Sequence, residues 1–239
     1  MEKLAIAGRA CFFEKGADPA YLLIQPVDEH EVPMLEAEVS HIRALTKQDF
    51  AYLAFMVGDW NSELSPWAAP PVFGNEAFGG GGESTLDLLT DSILPKAAED
   101  LGISGLPLVI GGYSLAGLFA LWAVYRRDIF SAAACASPLV WFGGWRKFAE
   151  VHRPLAEAVY LSIGNKEEKA RSRTLAAVGD NIRRQHELLN EQGIAAVLEI
   201  NEGNHFKDAD LRTARAFAWC LDKLSERRYN NECAGQFIR

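Results

Sequence analysis

The chain is poor in residues that staple, span or grip anions. It has 4 cysteines in 239 residues. Cys11, Cys135, Cys220 and Cys233 are widely spaced with no C-x-x-C pair, which argues for reduced thiols and against a disulfide framework or a zinc knot. No apolar run reaches the roughly 18 residues that a membrane span requires, because Arg, Asp, Pro or Gly interrupts the longest candidates. Positive charge is also short: 24 Lys and Arg face 32 Asp and Glu, a net charge of −8. Such a surface repels phosphate backbones and anionic lipid, so neither nucleic acid nor membrane is an expected partner. Met1–Arg9 lacks the apolar core of a secretory signal, and the expected location is cytoplasmic. No H-E-x-x-H or similar spacing occurs, and no metal or other cofactor is expected. Gly79-Gly80-Gly81-Gly82 lacks the lysine of a phosphate-binding loop and follows no apolar strand. It reads as a flexible entry to a helix beginning near Glu83.

What is present fits an ordinary globular chain, with 49% hydrophobic and 23% charged residues. Residues 1–239 read as one domain with a deep core and a polar extension, 227–239, expected to fray. Short apolar runs recur at Ala20 to Val27, Ala51 to Val57, Pro107 to Tyr113, Ala132 to Ser137, Ala158 to Gly164 and Ala195 to Ile200. Being apolar on both faces, they predict strands covered by helices on two sides. Helical periods lie between them: Ser84 to Leu101 with a kink or an end at Pro95, Leu115 to Arg126, Leu175 to Leu189, and Leu211 to Leu224. This alternation predicts an α/β fold, a mostly parallel sheet in a three-layer αβα sandwich. Gly58 to Gly82 and Leu139 to Pro154 resist the pattern and read as long, aromatic-rich loops.

The most informative stretch is Pro107 to Leu121, where an apolar strand runs straight into a helix with Ser114 at the junction. Gly112 and Ala116 flank the serine as in a nucleophile elbow, G-x-S-x-G, with alanine in the last place. Small neighbours let strand and helix pass closely while the serine takes a strained backbone that lifts its hydroxyl above the sheet. The helix start offers Leu115 N–H to a developing oxyanion.

A serine hydroxyl needs a base, and the base needs an acid. The chain order for an elbow of this kind is Ser, acid, His. His205, between the last strand and the last helix, is the expected base; His186 falls in a charged helix and His152 comes early. The acid is expected after the strand ending at Gly164, with Glu167 preferred, Glu168 the alternative and Asp180 a distant third. The second oxyanion donor is expected in Gly58-Asp59-Trp60-Asn61, as backbone N–H of Trp60 or Asn61, with Asp59 bracing the loop. Tyr113, Trp141 and Trp145 are candidate substrate-pocket residues, with Trp60, Trp67 and Phe142 as further aromatics.

The segment Gly112-Tyr113-Ser114-Leu115-Ala116-Gly117-Leu118-Phe119-Ala120-Leu121 resembles the G-x-S-x-G-G-x-x-A-L of the Putative esterase branch of the α/β-hydrolase superfamily. That branch includes siderophore esterases, S-formylglutathione hydrolase (esterase D) and feruloyl esterases. Ser137-Pro138-Leu139-Val140-Trp141, Gly164 with Glu167 or Glu168, His205 two residues after Gly203, and the Phe78 to Pro95 stretch are also similar to it. The resemblance covers roughly residues 50 to 225. It implies an α/β-hydrolase fold and metal-independent hydrolysis of a small-molecule carboxylic ester, with Ser114 as nucleophile, Glu167 as acid and His205 as base. The region before Ala51 is short for the family and leads us to expect a trimmed sheet. The rival readings are an acyltransferase and a non-catalytic binding protein on the same fold.

Overall fold

The computed structural model describes residues 1–72, 75–167 and 178–236, with side chains to Asn231. Ala7 and Gly8 both take positive φ, 49° and 79°, the backbone a tight hairpin turn requires. They join β1 (Glu2–Ile6) to β2 (Arg9–Lys15) in antiparallel register. β3 (Tyr21–Val27) is buried along its whole length, and β4 (Phe50–Met56) up to Phe55. They are followed by β5 (Ala68–Ala69) and β6 (Phe78–Gly79), a small separate ribbon, then β7 (Leu108–Tyr113), β8 (Phe130–Ala136), β9 (Ala158–Gly164) and β10 (Ala195–Asn201).

The large sheet has the order β1-β2-β4-β3-β7-β8-β9-β10. β2 pairs antiparallel with β1 and β4, and every other pairing is parallel. The expected trimmed sheet is therefore corrected: eight strands are present, because a two-residue turn inside Leu4 to Cys11 makes two strands from a short region. One face is covered by α1 (Leu35–Leu45) and α8 (Ala209–Gln236), whose Ile42, Phe217 and Leu221 are fully buried. The other carries α3 (Gly82–Leu88), α4 (Leu94–Leu101), α5 (Ser114–Arg126), α6 (Trp145–Val151) and α7 (Val178–Glu191). α5 is buried from Leu115 to Tyr125, and side chains such as Leu118 and Phe119 each stabilise the fold by roughly 1.5–3 kcal/mol relative to exposure.

Three further expectations are revised. A wide turn over Leu89–Ile93 absorbs the hydrogen bond that Pro95 cannot make, so α3 and α4 continue one into the other. The four-glycine run is a packed seam: a Cβ on Gly80 would lie 2.3 Å from Ala68 N and one on Gly82 2.7 Å from Ser65 O. The last helix continues through Arg227 to Gln236, where a fraying extension was expected. The start of that stretch is tied to the body of the fold: Arg227 pairs with Glu157 at 3.1 Å, and the Arg228 guanidinium lies over the Tyr21 ring. Leu139 to Pro154 contains α6. Leu175 lies outside the described residues.

Parallel strands end in turns at one edge of a sheet, and that edge is where ligand-binding crevices form. Tyr113, Gly164 and Asn201 close β7, β9 and β10 there.

Candidate active site

Ser114 follows β7 directly and opens α5 at φ 57°, a left-handed conformation that strains a non-glycine residue. The surroundings hold it there. A Cβ on Gly112 would lie 2.6 Å from Ala116 Cβ, and one on Gly117 2.9 Å from Gly112 O. The strand and helix thus meet where only these residues fit, and Ala116 already fills the space a larger side chain would need. Leu115, in the first turn of α5, carries an N–H without an intrahelical acceptor.

Two other turns reach this serine. After β9, Gly164 N–H donates to Glu167 Oε1 at 2.7 Å, so the turn curls its carboxylate back over the sheet edge. After β10, His205 sits with Nδ1 2.8 Å from Glu167 Oε2 and Nε2 2.9 Å from Ser114 Oγ. The structure therefore brings together Ser114, His205 and Glu167, the three residues the sequence paired by chain order. Glu168 lies outside the described residues. Asp180 is on α7 within 3.6 Å of Arg183, His152 stacks on Phe148, and His186 bonds to Asn190, all away from this chain of contacts.

Burial alone would raise the Glu167 carboxyl. The hydrogen bond and positive charge offered by His205, the Arg212 guanidinium and Gly164 N–H overturn that and hold it down at about 2. Glu167 is thus an anion at any ordinary pH, facing the imidazole.

Arg212, on α8, is the residue the sequence reading missed. It is 2% exposed. Its Nη2 donates to Glu167 Oε1 at 2.9 Å and to Ser137 Oγ, and Ser137 Oγ in turn donates to Glu167 Oε1 at 3.0 Å. Its Nη1 donates to Tyr113 Oη at 2.6 Å and to Asn204 O at 3.3 Å. Tyr113 Oη donates onward to His205 O at 2.7 Å, and burial pushes that phenol up to about 12, so it keeps its proton. The signal was present: Arg212 is in phase with Ala216 and Cys220 on the buried stripe of α8, where an unpaired charge would be very costly.

The loop after β4 supplies a fourth wall. Glu63 Oε1 accepts from Gly58 N–H at 2.8 Å and Asp59 N–H at 3.0 Å, while Arg9 pairs with its other oxygen at 2.6 Å. Asp59 caps α2 (Trp60–Glu63), its carboxylate accepting from Ser62 N–H at 2.9 Å and its carbonyl from Glu63 N–H at 2.7 Å. The loop's own acceptors thus take Gly58, Asp59, Ser62 and Glu63. Trp60 and Asn61 remain as first-turn donors, with Asn61 N–H also drawn weakly toward the Asp59 carboxylate.

The pocket expectation needs revision. Trp145 is 1% exposed and its indole N–H donates to Gln185 Oε1 at 2.9 Å, so it is a core residue; large rings satisfy themselves by packing. Phe142 is 2% exposed and packs with Trp67, Trp145, Phe148 and Phe78 in one aromatic cluster. Tyr113 is spent on Arg212 and His205, as above. Trp60 and Trp141 are half-buried. Phe206, beside the imidazole at 5.5 Å between ring centroids and 88% exposed, was not singled out in the sequence. Among the described residues no cluster of His, Cys, Asp or Glu is placed to hold a metal ion, and no helix is long and apolar enough to cross a membrane.

An eight-stranded, mostly parallel sheet with helices on both faces and a strained serine between its central strand and the next helix defines the α/β-hydrolase fold. Within it, the model of the Putative esterase family matches residues 38–207, and the chain belongs to that family. Comparison with curated protein sequences finds no match. Among solved structures, the chain is similar to an IroE-like serine hydrolase from Shewanella oneidensis at 15% identity, with a TM-score of 0.73 over 88% of this chain and 74% of that one. The siderophore hydrolase EstA from Aspergillus nidulans gives 15% identity and a TM-score of 0.69 over 90% of each chain. A carboxylesterase from Bacillus cereus gives 14% identity and a TM-score of 0.58 over 89% of this chain and 94% of that one. At such identities these likenesses speak for the fold.

Proposed function

We propose that this esterase cleaves a small-molecule carboxylic ester through an acyl-enzyme, with Ser114 as nucleophile, His205 as general base and acid, and Glu167 as the acid that orients the imidazole. The observation that carries the reading is the unbroken line from Ser114 Oγ to His205 Nε2, 2.9 Å, and from His205 Nδ1 to Glu167 Oε2, 2.8 Å. Its three members come from three separate turns.

In the first half-reaction Ser114 Oγ attacks the ester carbonyl carbon while His205 Nε2 takes the hydroxyl proton. The imidazolium is held by Glu167, already an anion, so no reorganisation is needed when the charge forms. The carbonyl oxygen becomes an oxyanion within reach of the first-turn N–H groups of two helices, Leu115 on α5 and Trp60 on α2; Asn61 is the alternative on the second. Collapse breaks the bond to the leaving alkoxide, which takes the proton from Nε2. In the second half-reaction water attacks the acyl carbon, His205 accepts its proton, and the carboxylic acid leaves as Ser114 recovers its hydrogen.

The test is turnover of p-nitrophenyl esters of graded acyl length, with a siderophore ester in the panel because structural relatives include a siderophore hydrolase. Ser114→Ala is expected to lose at least about a thousandfold in kcat with an unchanged melting temperature. Undiminished turnover in that variant contradicts the proposal, and acyl transfer to an added alcohol in place of water would mark the acyltransferase reading.

A further inference from the structure

Four turns and one strand end have to arrive together for the proposed chemistry, and a single side chain touches or reaches most of them. Arg212 contacts the acid turn at Glu167, the turn after β8 at Ser137, the last residue of β7 at Tyr113 and the base loop at Asn204. Through the Tyr113 hydroxyl it also reaches the backbone of His205. Its own Nε has no partner among the described residues although it is buried, which costs stability. A helix chosen for packing alone would carry an apolar residue here, as replacing a buried ion pair by apolar groups is often neutral or stabilising.

Ser137 reinforces the point. It sits at φ 43°, strained like Ser114, and is 3% exposed. In that conformation its hydroxyl accepts from the guanidinium and donates to the carboxylate, so the second strained serine of the sheet edge serves the acid and not a substrate.

We propose that Arg212 is a positioning residue of the reaction, locking the Glu167 carboxylate by one oxygen so that the other faces His205, and fixing the base loop against the elbow through Tyr113. This rests on the reading of Ser114, His205 and Glu167 given above. The cation has an electrostatic consequence as well. It opposes formation of the imidazolium, so its removal lets the base stay protonated to higher pH and moves the acidic limb of kcat/KM upward. Among the described residues, the other charged or titratable groups near the pair are Tyr113 from β7 and Asp208, Lys207 and Glu202 from the segment between β10 and α8; Lys207 and Glu202 are paired with each other at 3.7 Å. None of them changes in the variants below except the Tyr113 hydroxyl.

The experiment is the pH profile of p-nitrophenyl ester hydrolysis, from about pH 5 to about pH 9, by the full chain and by Arg212→Met, Arg212→Lys, Tyr113→Phe and Ser114→Ala, each with its melting temperature. Arg212→Met is expected to lose about 100-fold in kcat with little change in KM, and its acidic limb to rise by about half a unit or more. Arg212→Lys keeps the cation but not the fork, so its limb stays in place while kcat remains about tenfold down. Tyr113→Phe, which cuts the route through the phenol to His205 O and leaves Arg212 its bond to Asn204 O, is expected to lose several-fold in kcat with no movement of the limb. A merely structural arginine would lower the melting temperature and leave both kcat and limb at wild-type values in the folded protein, which overturns the proposal. Should Arg212→Met not fold, the other two decide, and wild-type kcat in both Arg212→Lys and Tyr113→Phe overturns it equally. An active Ser114→Ala would instead strike the reading beneath, whatever the arginine variants do.

Discussion

Glu167 is half-buried and Glu38 buried, and they end in different charge states. Glu38, on α1 beside β4, accepts from the Tyr52 hydroxyl at 3.2 Å. Burial pushes its carboxyl up to about 8, and the nearby Glu31 carboxylate adds to the rise. Glu167 is half-buried, and the His205 imidazole, the Arg212 guanidinium and Gly164 N–H converge on it and bring it down to about 2. The donors around the two carboxyls differ as well as their depth. An anion inside a protein persists where the surrounding turns aim N–H groups and positive charge at it, and reverts to a neutral acid where they do not.

The largest effect expected of this contrast is catalytic. Glu167→Gln removes the charge while keeping the shape, and kcat is expected to fall by about a thousandfold or more, whereas Glu38→Gln leaves kcat at the wild-type value. Steady-state hydrolysis of the same ester by the two variants checks it, and equal rates would erase the distinction.

The next effect is on stability and runs in two separate pH windows. For Glu167 the unfolded chain binds the proton more readily than the folded one between the ordinary value of 4.5 and about 2. Its contribution is therefore complete above that range and lost as pH falls through it. For Glu38 the sign reverses: between 4.5 and about 8 the folded chain holds a proton that the unfolded chain releases, so stability declines as pH rises across the window. Glu38→Gln is expected to flatten that decline and raise the melting temperature near pH 9 by a few degrees, about 2–4 °C for each kcal/mol recovered in a chain of this size. Thermal melts against pH measure both, and an unchanged slope in Glu38→Gln would contradict the assignment.

The smallest effect concerns the neighbour in sequence. With Glu167 as the acid, Glu168→Gln is expected to keep kcat within about twofold of wild type, and a loss comparable to that of Glu167→Gln would transfer the role.

These residues also show where a linear reading reaches and where it stops. The elbow was legible because its requirement is local: Gly112, Ser114, Ala116 and Gly117 must be small or strained within one turn. His205 and Glu167 followed from chain order and from the turn residues beside them. The hairpin of β1 and β2 was hidden because Ala7 takes the positive φ usually left to glycine or asparagine. Trp145 read as a pocket residue because an aromatic beside glycines looks alike whether it faces solvent or Gln185. Arg212 was lost for a different reason. Its side-chain partners Tyr113, Ser137 and Glu167 lie 99, 75 and 45 residues away in sequence; the buried stripe of its helix says that the charge must be paired, but not with what.

The most direct measurement is mass spectrometry of the enzyme acid-quenched during turnover of a p-nitrophenyl ester. The account predicts that the peptide containing residue 114 gains the mass of one acyl group and that Ser114→Ala gains none. An acyl group found on another residue, or full turnover with no covalent adduct at any quench time, would contradict it.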